Sequence, residues 1–291
     1  MSAWDIVVPV VAVLGAPFLG GFLRGLDRKI TARMQGRVGP PVVQPFYDFV
    51  KLYSKERIAT TRESLIWVWG YLVLTVTAFA LFFAGQDLLI VVFILAFAGA
   101  SLALGAFSVK SPYAHFGAHR EILQMFSYEP ILILAAVAIF LKSGSFLVRD
   151  VVAMSQQPLL PDLPLVFLAL LIALGIKLRK SPFDIAASEH AHQEIVRGVY
   201  TEYSGPFLAL VELTHWYELV LVLGFVALFW AKPLWLGVVI ALAVYFLELL
   251  IDNITARVRW SWMVTISWAL GAGFVLLNIL LLEFAGNTVR L

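Results

Sequence analysis

Glutamates interrupt stretches of Leu, Val, Ile and Phe at Glu129, Glu212, Glu218 and Glu248, and Asp252 and Glu283 stand at the ends of two such stretches. His215 lies three residues from both Glu212 and Glu218, so on a helix these three could form a hydrogen-bonded relay along one face. Glu248 and Asp252 share a face at i, i+4, and Glu121, Met125, Tyr128 and Glu129 roughly share another. An ionised side chain at the centre of a bilayer costs roughly 2.5–3.5 kcal/mol on insertion scales. Acids kept in such places can pass protons, or bind and release Na⁺ through their oxygens, because burial raises a carboxyl pKa and a nearby cation lowers it. The plainer reading is that each acid is paired with a loop cation and only holds helices together. Glu283 fits that reading better than Glu129 or Glu212.

The elements that would position these groups are membrane spans. The chain is 61% hydrophobic and 14% charged, with a mean hydropathy of +0.90, against roughly 45–50% and 25% in soluble domains. Its apolar residues fall into runs of the length that crosses ~30 Å of hydrocarbon. This argues against a soluble core, and the weak ten-residue alternation of an outer-membrane barrel is missing. The reading is an all-α polytopic membrane protein, one helical domain over 1–291 with spans near 6–23, 65–84, 88–107, 122–141, 163–178, 206–230, 234–251 and 262–284. The first run has no basic residue before it and reads as a retained helix rather than a signal peptide. Of 21 Lys and Arg residues, 17 fall in the loops 24–64, 108–121, 177–205 and 252–261. The positive-inside rule makes that side cytoplasmic and puts both termini outside, in a prokaryotic inner membrane. The net charge of +2 follows from this topology and gives no sign of nucleic-acid binding. With 0 cysteines, the chain holds no iron–sulfur cluster or nickel thiolate site of its own, and electron transfer belongs to a partner.

Two loops on the basic side are candidates for docking or coupling. In the first, Gly36, Gly39, Pro40 and Pro41 break regular structure and place Arg33 and Arg37 on a turn. Pro45 then suits the first turn of a helix in which Phe46, Phe49, Val50 and Tyr53 form one apolar stripe, with Asp48, Lys51, Lys55 and Glu56 among its polar residues. This is an amphipathic helix along the membrane face, touching lipid headgroups or a soluble partner. The second loop gathers Asp184, Glu189, Glu194 and Glu202 with His190, His192 and Arg197, and ends with Tyr203. His190 and His192, at i, i+2, face different sides of a helix and cannot make the i, i+4 pair of a helical metal site.

Gly36-Arg-Val-Gly-Pro40, Gln44-Pro-Phe-Tyr-Asp-Phe-Val-Lys-Leu52, Lys55-Glu56, Ser127-Tyr-Glu129, Ser181-Pro-Phe-Asp184 and Thr201-Glu-Tyr-Ser-Gly205 together resemble the H-type membrane subunit of respiratory complex I along essentially the whole chain. Where quinone-using subunits follow Pro-Phe-Asp with a compact Glu-Ala-Glu-type stretch, this chain has Ala187-Ser-Glu-His-Ala-His-Gln-Glu194. That version is similar to the group 4 membrane-bound nickel–iron hydrogenases, of the Ech and formate-hydrogenlyase type. The resemblance implies a membrane anchor for hydrogenase large and small subunits, a ferredoxin-like iron–sulfur subunit and an antiporter-like membrane subunit, with the nickel–iron centre and the clusters held by those partners. It also implies that ferredoxin oxidation and proton reduction are coupled to ion movement. The alternatives are a complex I-type subunit whose loops form a quinone chamber, a stand-alone transporter (although no repeated halves are seen), and a scaffold without a coupling role.

Overall fold

A computed structural model describes residues 4–58, 61–153, 158–186 and 197–284. Among them the protein is all helix in its regular structure: α1 (Trp4–Met34), α2 (Gln44–Tyr53), α3 (Arg62–Phe83), α4 (Leu88–Phe107), α5 (Pro112–Ser143), α6 (Val148–Ala153), α7 (Pro164–Lys177), α8 (Gly205–Leu228), α9 (Leu234–Ile254), α10 (Trp260–Ile266) and α11 (Gly273–Phe284). The last two are joined through a π-helical turn, Ser267–Ala272, into one span. Seven helices are long and apolar enough to cross a membrane, and α7 is a shorter apolar eighth. The chain is therefore a multi-pass membrane protein.

Local sequence explains where most helices begin. Pro stands in the first turn of α2, α5, α7 and α8, where a missing N–H breaks no bond and the fixed φ suits the helix. The Thr61 hydroxyl caps α3 by accepting from Ser64 N–H at 3.3 Å. The Asp87 carboxylate caps α4, accepting from Leu89 and Ile90 N–H at 2.8 and 3.2 Å.

Two expected boundaries are wrong. α1 does not stop at residue 23 but continues to Met34, so Arg33 lies in its last turn and not on the Gly-Pro turn with Arg37. The helical face continues past the apolar run: Ala16, Leu23, Asp27 and Thr31 are all buried against the bundle. Likewise α5 starts at Pro112, so most of the expected loop 108–121 is helix. Hydropathy marks the hydrocarbon slab; it does not mark where backbone hydrogen bonding ends.

The main core lies among α3, α4, α5, α7, α8 and α9, and a second cluster joins α3, α4 and the start of α5 to the segment Val199–Tyr203. That segment sits directly on α5, because Gly117 leaves no side chain between the helix and the backbone of Gly198 and Val199; an added Cβ would lie 2.3 Å from Val199 N. Pro130, inside α5, removes one N–H from its hydrogen-bond ladder. The orphaned Phe126 carbonyl, four residues earlier, accepts instead from the Trp268 indole at 3.2 Å, on the π-helical turn.

Close approach also fixes α1 against the turn that precedes α2. A Cβ on Gly25 would lie 1.7 Å from the Val42 carbonyl oxygen, whereas one on Gly15 meets nothing within 4 Å. Gly25→Ala is expected to destabilise the protein by about 1–3 kcal/mol through forced backbone displacement, while Gly15→Ala stays within ~1 kcal/mol of the parent. Thermal unfolding of both variants in one detergent checks this; equal melting temperatures would contradict the packing of α1 on Val42.

Candidate functional site

α7 has 14 residues and spans about 21 Å, short of a full crossing. The chain completes the distance as buried irregular structure, in which Arg179, Lys180, Ser181 and Asp184 are each less than a tenth exposed. The first part of the 177–205 loop is therefore inside the bundle and not on a docking surface, which corrects the expectation from sequence. α7 ends in a Schellman motif: Lys180 N–H donates to Gly175 O at 3.2 Å and Arg179 N–H to Ile176 O at 3.1 Å. The left-handed residue of that motif is usually Gly. Here it is Arg179, at φ 52°, at a backbone cost of roughly 1–2 kcal/mol.

What offsets this cost is the side chain. Arg179 Nε donates to Glu121 Oε2 at 3.1 Å and Nη2 donates to the other oxygen, a two-point grip. Its Nη1 lies 3.7 Å from Glu218 Oε2 and 3.4 Å from His215 Nε2. The Tyr200 hydroxyl is 2.9 Å from the same His215 nitrogen. Burial pushes the Tyr200 phenol well above its usual pKa despite the nearby Arg179 charge, so it stays neutral and donates, and His215 Nε2 accepts. The relay expected along α8 is therefore not a direct Glu212–His215–Glu218 chain. Glu212 pairs with Arg197 at 2.9 Å, and Arg179 stands between His215 and Glu218.

Neighbouring cations extend the network in both directions. Lys177 Nζ lies 2.9 Å from Glu218 Oε1 and 3.3 Å from the Tyr128 hydroxyl, and Tyr71 OH donates to Glu218 Oε2 at 2.8 Å. Glu129, next to Tyr128 and half-buried, turns Oε1 inward with no hydrogen-bond partner among the described residues. On the other side Lys180 Nζ sits 2.7 Å from Asp27 Oδ2 and 3.7 Å from Asp252 Oδ2. Asp27 also accepts from Tyr245 at 3.2 Å and Thr31 at 3.3 Å, and Asp252 accepts from Ser181 N–H at 2.8 Å. Glu248 is buried one turn away and approaches α7 where Gly175 has no side chain, 3.0 Å from the place of a Cβ. Charged and phenolic groups thus run without a long gap from the loop end toward the middle of the bundle.

The loop end opens into a cavity of about 270 Å³. It brings together Arg37, Asp184, Arg197, Glu212 and Asp252, all expected from sequence, with Asp27 and Lys180 on its wall. Asp184 is held by Arg257 through two bonds, 3.0 and 2.9 Å. Asp48, Lys51 and Lys55 lie instead on a neighbouring cleft. Arg33 and Glu56 are exposed, and Glu202 is half-buried. Tyr203 is buried in the second core and does not serve as a docking residue. Glu189, His190, His192 and Glu194 lie outside the described residues. α2 is a helix as expected, but its apolar residues divide: Phe46 and Phe49 pack on Trp216, at ring separations of 5.4 and 5.7 Å, while Val50 and Tyr53 face outward.

The expectation from sequence treats residue 24 onward as loop and so omits Asp27, and it counts Lys177, Arg179 and Lys180 only as loop charge. A signal was present in the spacing of Ala16, Leu23, Asp27 and Thr31, which keeps one helical face through the first polar residues. Among the described residues no group of three or more His, Asp or Glu is arranged to hold a metal ion.

Breaking a buried pair leaves one charge uncompensated, at about 3–5 kcal/mol, whereas replacing both members by apolar groups costs far less. Because Arg179 and Tyr71 still hold Glu218, Lys177→Met alone is expected to lose only part of that, about 1.5–3 kcal/mol, and Lys177→Met with Glu218→Gln, whose amide oxygen still accepts from Tyr71, to regain some of it. Unfolding in detergent followed by circular dichroism gives the double-mutant cycle; a double variant no better than the single one would refute the pairing.

A family model described as NADH dehydrogenase matches residues 6–283. Hydrogenase-4 component C of Escherichia coli is 36% identical, over 65% of this chain and 63% of that one. The H-type subunit of the NADH-quinone oxidoreductase of Syntrophotalea carbinolica is 30% identical over 94% of both chains. An H-type subunit of the same enzyme from Cereibacter sphaeroides is 32% identical over 94% of this chain and 93% of that one. The fold is that of a chain in the archaeal membrane-bound sulfane sulfur reductase, a respiratory membrane complex, with a TM-score of 0.85 and 23% identity over 95% of this chain and 99% of that one. With its eight apolar helices and a charged interior reached from one end, the chain belongs to the NADH dehydrogenase family, that of the H-type membrane subunits of complex I and their hydrogenase counterparts.

Proposed function

We propose that this chain is the membrane-anchoring and ion-coupling subunit of a ferredoxin-oxidising, hydrogen-evolving nickel–iron hydrogenase complex. The observation that carries the proposal is the buried charge line Asp27–Lys180–Asp252, Glu121–Arg179–Glu218 and Lys177–Tyr128, which begins at the loop-end cavity and ends at Tyr128, the sequence neighbour of Glu129. The likeness to hydrogenase-4 component C and the His190-Ala-His-Gln-Glu194 stretch support the hydrogenase assignment. In this reading the chain holds no redox centre. The large and small hydrogenase subunits and a ferredoxin-like subunit dock on the exposed turn after α1 and on the later part of the 177–205 loop and carry the nickel–iron centre and clusters, and an antiporter-like subunit lies beside the bundle.

The coupling step follows from electrostatics. Arg179 is shared between Glu121 and Glu218, and a small displacement of the 178–186 segment changes which carboxylate it neutralises. A carboxylate that loses its cation gains proton or Na⁺ affinity, so motion at the loops becomes ion uptake in the bundle. Glu218, His215, Glu248 and Asp252 are the groups placed to respond, with Glu212 at the cavity and Glu129 at the inner end.

A complex I-type quinone chamber is the second reading. The cavity of about 270 Å³ between Arg37, Lys180, Asp184 and Arg197 and the H-type relatives that span the whole fold favour it. Purification in mild detergent through a tag on this chain separates the two. Nickel together with ferredoxin-dependent hydrogen evolution is expected, and Glu129→Gln should retain hydrogen evolution while losing ion movement in proteoliposomes. Iron without nickel, with quinone reduction, would replace the hydrogenase reading, and a chain emerging alone and metal-free would favour a transporter.

Orientation is tested through the absence of native cysteine. With the basic loops cytoplasmic, Ser54→Cys is expected to react with a membrane-impermeant maleimide in inside-out vesicles, and Gln86→Cys, at the other end of the bundle, only in right-side-out ones. The opposite pattern would reverse the topology.

A further inference from the structure

The cleft between α1, α2 and α8, about 250 Å³ in volume, has one wall of cations and one of hydrocarbon. Arg24, Arg28, Lys51, Lys55 and Arg197 line it, against only two acids, Asp48 and Glu212. Both acids are engaged: Arg28 holds Asp48 at 2.6 Å and Arg197 holds Glu212 at 2.9 Å. Lys51 and Lys55, one turn apart along α2 and its C-terminal end and both exposed, make no ion pair among the described residues. The apolar wall is Pro45, Phe49, Leu52, Leu208 and Trp216.

A soluble anion would use the cations and leave the apolar wall wet. A partner helix would use the apolar wall but would not fit a cleft of this size. An amphiphile with a phosphate uses both. The setting is also right: α2 turns Tyr47, Val50 and Tyr53 outward, each more than half exposed, the pattern of a helix lying at the level of the headgroups. The exposed stripe Val11, Leu14 and Phe18 of α1 runs up to this helix, where Phe18 stacks on Phe46 at 6.4 Å. Acyl chains have a continuous apolar track there, and the cleft volume suffices for a headgroup and glycerol.

We propose that this cleft binds one anionic phospholipid, its phosphate held by Lys51 and Lys55 and its glycerol against Phe49 and Trp216. The lipid fixes α2 to the bundle beside the loop-end cavity. The site is independent of the hydrogenase reading, since it requires only that the chain lies in a bilayer.

The test uses the chain purified in mild detergent with whatever subunits it retains, delipidated and titrated with short-chain phosphatidylglycerol under native mass spectrometry. A saturable single adduct is expected. A surface lysine is worth about fivefold in affinity for anionic lipid, so Lys51→Gln with Lys55→Gln should weaken the adduct roughly thirtyfold. Lys51→Arg with Lys55→Arg should retain it, and Lys110→Gln, on a different loop, should change nothing. Phosphatidylcholine, whose choline offsets the phosphate charge, should bind the parent more weakly than phosphatidylglycerol does and lose less affinity in the double Gln variant. Unchanged phosphatidylglycerol affinity in the double Gln variant would overturn the proposal, and so would displacement of the lipid by excess inorganic phosphate, which would mark a free-anion site.

Discussion

Arg179 is gripped by Glu121 and shared with Glu218 inside a protein whose surroundings are hydrocarbon, and much of the bundle is arranged around that contact. A guanidinium buried this deeply cannot be left bare, because the cost of an unpaired charge is several kcal/mol. α7 is cut short so that its last turn delivers Lys177, Arg179 and Lys180 to three different carboxylates. The left-handed backbone at Arg179 is the conformation that turns the chain back into the bundle while still closing the helix carbonyls. α5 contributes Glu121 at the same level because it begins well before its apolar stretch, and α8 contributes Glu218 and His215.

The pairings are not a device for stability alone. Apolar side chains of similar volume would hold these helices together as well or better, since ion pairs in low dielectric barely recover their desolvation. Each cation instead has one close partner and a second acceptor within 4 Å: Arg179 grips Glu121 with Glu218 at 3.7 Å, and Lys180 holds Asp27 at 2.7 Å with Asp252 at 3.7 Å. Lys180 between Asp27 and Asp252, and Lys177 between Glu218 and Tyr128, repeat the arrangement of Arg179 on either side of it.

The same end of the molecule carries two polar openings of different character. The cavity beneath the turn at Gly39 and Pro40 mixes six cations with four acids and leads to Asp27 and Lys180. The cleft under α2 is dominated by cations and backed by Phe49 and Trp216. The two adjoin across Arg24, Arg28, Arg197 and Glu212, and α2, seated by ring contacts on Trp216 and by the Arg28–Asp48 pair, borders the cleft. α2 is thus fixed at its inner edge and leaves Tyr47, Val50 and Tyr53 exposed at its outer edge.

Fold class, the eight apolar segments and most of their limits were legible in the sequence, because crossing hydrocarbon demands about 20 apolar residues in a row and the demand is local. Pro in the first turns of α2, α7 and α8 and the motifs around Glu129, Asp184 and Tyr203 could also be read there. Helix continuation beyond the membrane could not: the run from Arg24 to Met34 is polar enough to look like a loop, and it is helical because Asp27 and Thr31 find Lys180 and Asn253 on other segments. Partner choice was equally out of reach. Spacing put His215 between two glutamates on one helix, but side chains on one face compete with groups on neighbouring helices, and Arg179, Arg197 and Tyr200 took the contacts. Periodicity says which residues turn inward; which charge meets which depends on the rotation and depth of separate helices, and only the packed bundle sets those.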